Sequence, residues 1–268
     1  MLPFSRHLDL LAHDTMRLIG AMRGADPAAP VPGCPDWHAT DLVAHLIEMN
    51  DIWGWLVAHR PRDFTEGYEA LTLPEDHRDR LELLDTTNHD LIEALRASGA
   101  DDEICYFGET APAARAARLM AVETLVHSRD AEECAGLAVS PVPQDVAVDA
   151  ADQQLHHLSD TRQAPWLPRA VTLRSVDTDD SWTVLVAVEH DDGTLRVVDP
   201  GQAEVGAEVS APAAVLVPWL FGRTHVGDLV AESGDAELIH ALHLALGHDV
   251  APLANPGRGT GQRRWWRR

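Results

Sequence analysis

Fifteen histidines set among 43 acidic side chains make imidazole–carboxylate chemistry the first candidate. An acid four residues before a histidine places both on one helical face. Asp9/His13, Asp41/His45, Asp85/His89 and Asp152/His156 all have that spacing, so spacing alone selects nothing. Inward facing does. At about 100° per residue, His45 lies about 60° from Leu42, at the edge of an apolar stripe of Leu42, Met49 and Leu56. Glu123 and His127 fall within about 80° of Leu119, and Val122 and Val126 flank the glutamate. A carboxylate buried there is costly unless it is paired or bound to a metal.

Two arrangements satisfy it. Glu123 and His127 can converge with His45 as two imidazoles and one carboxylate, a set that recurs in catalytic zinc centres with a position left open. Nickel or iron would also suit it. Alternatively, Glu123 forms a buried ion pair with Arg129, Arg115 or His45 and holds no metal. Asp130 shares the inward face, where it either orients His127 or pairs with Arg129 or Arg115.

The elements that must position these groups follow from apolar spacing. Leu8, Leu11, Leu18 and Met22 repeat at helical intervals over residues 4–24, before the Pro27–Pro35 breaks. A second helix starts near Thr40 or Asp41, either able to cap it, and ends at Pro61. A third runs from about Pro74 to Ser98, with Gly99 as its stop. A fourth runs from after Pro112 to about Gly136. Four amphipathic helices make a bundle. One more helix is expected before Pro165. The period then changes: residues 170–177, 181–190 and 193–199 are rich in β-branched residues and read as an antiparallel meander. Helical segments follow at APAAVLVPWLFGR and DAELIHALHLALG. This divides the chain into a bundle at 1–165, an α+β domain at 166–250 and a mobile Arg/Trp tail at 251–268.

Composition narrows the partners. All 21 basic residues are arginine, which excludes a Walker-type phosphate loop and any lysine nucleophile or base. The net charge is −22, and five of the arginines lie at or beyond Arg258. So acidic a body repels nucleic acid and anionic membranes, leaving a small molecule as the expected partner. Three cysteines without a CxxC pair argue against a disulfide framework. No apolar run approaches a membrane span, and His7, Asp9 and His13 interrupt any signal-peptide core. A reduced, cytoplasmic protein is expected.

One stretch is more specific. PGCPDWHATDLVAHLIEM resembles the signature of the DinB-like, mycothiol-dependent maleylpyruvate isomerase family, a Pro-Cys-Pro and a Trp followed by Asp-Leu-Val-Ala-His-Leu. The resemblance implies that His45 is the first metal ligand. ETLVHSRD matches the family's Glu-x-x-x-His with an Asp three residues on, which implies Glu123 and His127 as the other ligands. VDTDDSWTVLVAVEH resembles the family's sterol-carrier-like C-terminal domain, and WLFGR its Leu-x-Gly-Arg motif, placing Arg223 at the cleft. The implied protein is a four-helix DinB-like bundle followed by a small α+β sterol-carrier-like domain. It would bind a divalent metal, zinc foremost, and take mycothiol as cosubstrate, holding it as a thiolate. That thiolate would add to a small electrophilic substrate, giving isomerisation or thiol transfer, while Arg223 clamps a substrate carboxylate bidentately. The alternative is a non-catalytic small-ligand-binding or regulatory protein on the same fold.

Overall fold

The computed structural model describes residues 1–64, 67–160, 163–189 and 192–248. The expected tail at 251–268 lies outside them. The chain divides into two compact units, Met1–Pro141 and Val142–Arg268.

The first unit is built on α1 (Phe4–Met22), α2 (Ala39–His59), α3 (His77–Ser98) and α4 (Ala113–Cys134). Two antiparallel hairpins join them: β1 (Pro30–Val31) with β2 (Cys34–His38), and β3 (Glu103–Tyr106) with β4 (Glu109–Pro112). Neither hairpin is visible as alternation, because each strand spans at most five residues. α1 packs on α4 and α2 on α3. Two apolar clusters fill the interior, one around Trp53, Leu56, Leu91 and Leu95, the other around Leu18, Leu42, Leu46 and Leu84. The α2 cap differs from expectation. His38 is the N-cap, and Asp41, in the first turn, accepts the His38 backbone N–H at 2.9 Å. The aspartate thus ties β2 to α2, which matters for the site.

The second unit holds α5 (Gln144–Leu158) and a five-stranded mixed sheet. β5 (Ala170–Ser175), β6 (Ser181–Glu189) and β7 (Asp192–Val198) form the expected antiparallel meander. β8 (Val205–Ala211) adds parallel to β5, and β9 (Ala231–Gly234) adds antiparallel to β8. β8 and β9 escape a sequence reading because VGAEVSA and AESG contain few large apolar residues. α6 (Ala213–Leu220), a 3-10 turn (Thr224–Leu229) and α7 (Ala236–Ala245) complete the unit. α7 rests directly on β7: a Cβ on Gly193 would lie 2.1 Å from the Ala245 backbone nitrogen.

The division between Pro141 and Val142 differs from the expected boundary at 165/166. α5 belongs to the second unit because its buried face packs against α6 and β7. That face is small, with Ala147, Ala150 and Ala151 fully buried. The Trp182 indole N–H also donates to Asp152 at 3.0 Å. Adjacency to four bundle helices in sequence carried no information about that face. Among the described residues, no helix is long and apolar enough to cross a membrane.

The end of α7 is tied down by a histidine pair. His248 Nε2 lies 2.7 Å from the Trp219 carbonyl and its Nδ1 2.6 Å from His243 Nδ1, while His243 Nε2 meets Glu232 at 2.8 Å. Burial pushes the His248 imidazole down from 6.5 to about 4, with the neighbouring His243 acting in the same direction against the Trp219 hydrogen bond. Between those values the unfolded chain binds a proton here and the folded chain does not. Stability should therefore fall as pH drops from 6.5 towards 4, by up to about 3 kcal/mol. Thermal unfolding across that range should show a steeper loss in the wild type than in His248→Gln; parallel curves would refute it.

Candidate metal centre

The face of α4 that matters carries Glu123, His127 and Asp130, since residues three and four apart on a helix are neighbours. α2 supplies His45. The structure brings the three proposed ligands together. Glu123 Oε2 lies 3.6 Å from His127 Nε2 and 4.0 Å from His45 Nε2, and the three donor atoms lie within 4.8 Å of one another. Ligands about 2.1 Å from a tetrahedral zinc are separated by roughly 3.4 Å, so a small closure would seat a cation. The His45 and Glu123 side chains are 18% and 21% exposed, which leaves the cluster approachable by solvent and small molecules.

Protonation also fits. His127 Nδ1 lies 2.9 Å from Asp130 Oδ2, with both residues buried. A carboxylate partner commits the imidazole proton to Nδ1 and turns the Nε2 lone pair towards Glu123. Burial lowers the His45 pKa more than the Glu123 hydrogen bond raises it, so the imidazole is favoured in its neutral form. Burial pushes the Glu123 carboxyl up, but hydrogen bonding and charge from His127 and His45 outweigh it and hold it well below the usual carboxylate range. A neutral His45 and an ionised Glu123 are states a divalent cation needs.

The ion-pair alternative with Arg129 or Arg115 is not what forms. Arg129 donates to the Ser140 carbonyl. Arg115 lies over the Tyr106 ring and 3.9 Å from Glu109. The ion-pair contacts of Glu123 are with the two histidines.

Two further side chains complete the wall, and helical spacing could not find either because both sit on β2. Trp37 packs 4.9 Å from the His45 ring and 5.7 Å from the His127 ring, centroid to centroid. Cys34 Sγ approaches Asp130 Oδ2 at 3.9 Å. The only signal in the sequence is the motif CPDW itself. None of the three cysteines is in a disulfide. Arg223 belongs to the second unit, where it caps the 3-10 turn, is 9% exposed and donates to the Phe221 carbonyl. It is therefore no surface arginine.

The fold that carries this cluster has counterparts among known proteins. Residues 8–132 match the family model described as the mycothiol maleylpyruvate isomerase N-terminal domain. Two solved structures share the fold over 88% of the chain. The crystal structure of a histidine-to-alanine mutant of the mycothiol-dependent maleylpyruvate isomerase matches with a TM-score of 0.58 at 18% identity, over 88% of this chain and 95% of that one. The crystal structure of the mycothiol-dependent maleylpyruvate isomerase matches with a TM-score of 0.56 at 18% identity over the same shares. No curated protein matches the sequence. Residues 8–132 thus form a domain of the mycothiol maleylpyruvate isomerase N-terminal type.

If Asp130 orients His127 for a cation, Asp130→Asn should weaken divalent-metal affinity by about 10–100-fold while leaving helix content unchanged. Competition titration with a chromogenic chelator measures this; wild-type affinity would exclude Asp130 from the role.

Proposed function

We propose that this chain is a metal-dependent enzyme that uses a low-molecular-weight thiol, mycothiol, to attack a small electrophilic substrate bearing a carboxylate. The observation carrying this is the convergence of His45, Glu123 and His127, with His127 fixed by Asp130. The donor set suits zinc, as two imidazoles and a carboxylate leave at least one position open. A zinc ion held there would lower the pKa of a thiol and keep it as a nucleophilic thiolate near neutral pH.

The chain's own residues do the rest. His45 and His127 present their Nε2 lone pairs, and Glu123 supplies the negative charge that favours a dication over a proton. Asp130 holds the His127 ring in one tautomer and orientation. Trp37 covers both imidazoles on one side, so the thiol must approach from the remaining open side. Arg223 is the proposed clamp for the substrate carboxylate. A charge of −22 repels an anion at long range, and a local guanidinium offsets that field. Isomerisation and thiol transfer share the addition step and differ in whether the thiol leaves again. The N-terminal domain type and the fold shared with an isomerase favour isomerisation.

Two outcomes test the reading. Protein purified without chelator should carry one zinc per chain, lost in His45→Ala combined with Glu123→Ala. Mycothiol should raise the melting temperature of zinc-loaded protein, by mass action on the native state, and leave the metal-free form unmoved. Zinc binding without any mycothiol effect would favour a binding or regulatory protein on this fold.

Arg223→Lys should lower kcat/KM for an anionic substrate about tenfold or more with metal content retained, because lysine keeps the charge but loses the planar fork. Unchanged turnover in a folded Arg223→Lys variant would leave Arg223 a purely structural role.

A further inference from the structure

His127 has two ring nitrogens, and the proposed catalytic cation uses only Nε2. On the other side of the same ring, Nδ1 meets Asp130 at 2.9 Å, and Asp130 is in turn 3.9 Å from Cys34 Sγ. The thiol, an imidazole nitrogen and the carboxylate all lie within 4.8 Å of one another. His127 and Asp130 are buried, and Cys34 is half-buried on β2. A thiolate, an imidazole and a carboxylate form a softer set than His45, Glu123 and His127, and thiolate donors select thiophilic cations.

We propose that Cys34, Asp130 and the Nδ1 side of His127 form a second cation site, thiophilic in preference and mutually exclusive with the first. This exclusivity rests on the functional reading of the first site. The chemistry of one imidazole imposes it. A cation at Nε2 requires the ring proton on Nδ1, where it is donated to Asp130. A cation at Nδ1 displaces that proton, which is replaced by one at Nε2, and releases the Cys34 thiol proton to solvent. The neutral ring then keeps its single proton on Nε2, whose lone pair is no longer offered to a metal. Holding both cations would require an imidazolate bridge. The consequence is a built-in sensitivity: a thiophilic cation captured beside Cys34 withdraws His127 from the first site. Ligand separations of roughly 3.4–3.6 Å suit such a cation, so Asp130 must part slightly from His127 while Cys34 closes on it.

Cadmium is the probe, because its thiolate bond gives an ultraviolet charge-transfer band. Metal-free wild-type protein titrated with cadmium should bind one ion per chain and develop that band. Cys34→Ser should lose the band while keeping its fold by circular dichroism, and Asp130→Asn should bind cadmium at least tenfold more weakly. His45→Ala should keep the band, because His45 plays no part in the second site. A wild-type titration without the band would overturn the proposal. So would a band undiminished in Cys34→Ser, which would identify Cys105 or Cys134 as the donor, or two cadmium ions bound at once in the wild type. Zinc-loaded wild-type protein that mycothiol fails to stabilise would instead sink the functional reading and leave the cadmium result standing.

Discussion

A half-buried carboxylate enclosed by two imidazoles is the constraint on which the first unit depends. Glu123 meets the two imidazoles at 3.6 Å and 4.0 Å, and its lowered pKa depends on the hydrogen bonds and positive charge they offer. Such a cluster is stable only when a proton or a cation sits within it. It must also be held in place, because the two helices would otherwise relax apart. α4 is held by burial on almost every side. Ala113, Ala116, Ala117 and Ala131 are fully buried, and such small residues let neighbouring helices approach closely. Close helices are what allow side chains as short as histidine and glutamate to meet.

The polar contacts around α4 work towards the same end. Arg17 reaches from α1 to Asp14 at 2.8 Å and to Glu132 at 2.7 Å. Glu132 also accepts the Ser140 backbone N–H and hydroxyl, each at 2.7 Å. Burial raises the Glu132 carboxyl, but Ser140 and Arg17 together hold it below the usual range. Thr15 donates to Asn88 at 3.0 Å, linking α1 to α3. Hydrogen-bonded networks of this kind rigidify a core, and here one Asp14 oxygen is bonded while the other is buried without a partner among the described residues. The last turn of α4, which carries Asp130, is thereby fixed to the rest of the bundle.

β2 has an influence out of proportion to its five residues. It delivers Trp37 onto both imidazoles and Cys34 towards Asp130. The Asp41 cap locks its last residue, His38, to the start of α2. One short strand therefore relates the first turn of α2, the His45 ring and the end of α4. The placement of a soft sulfur donor beside a harder ligand set arises from that hairpin rather than from either helix.

The four bundle helices and the β5–β7 meander were legible in the sequence because their apolar periods are local and long enough to repeat. His45, Glu123 and His127 were legible as inward-facing residues for the same reason. Their spacing left open a metal set or an ion pair of Glu123 with Arg129, Arg115 or His45, and the tertiary fold removes the two arginines from that choice. It does so by sending Arg129 to Ser140 and Arg115 to Tyr106. The hairpins, β8, β9 and the allegiance of α5 were not legible. Two- to five-residue strands carry too little pattern, a parallel β5–β8 pairing joins residues distant in the chain, and an alanine face on α5 fits either neighbour. Periodicity reports which side of an element is apolar. Which partner covers that side is set by long-range packing, and so the joining of His45, Trp37, Cys34 and Asp130 around one imidazole was decided by the folded chain alone.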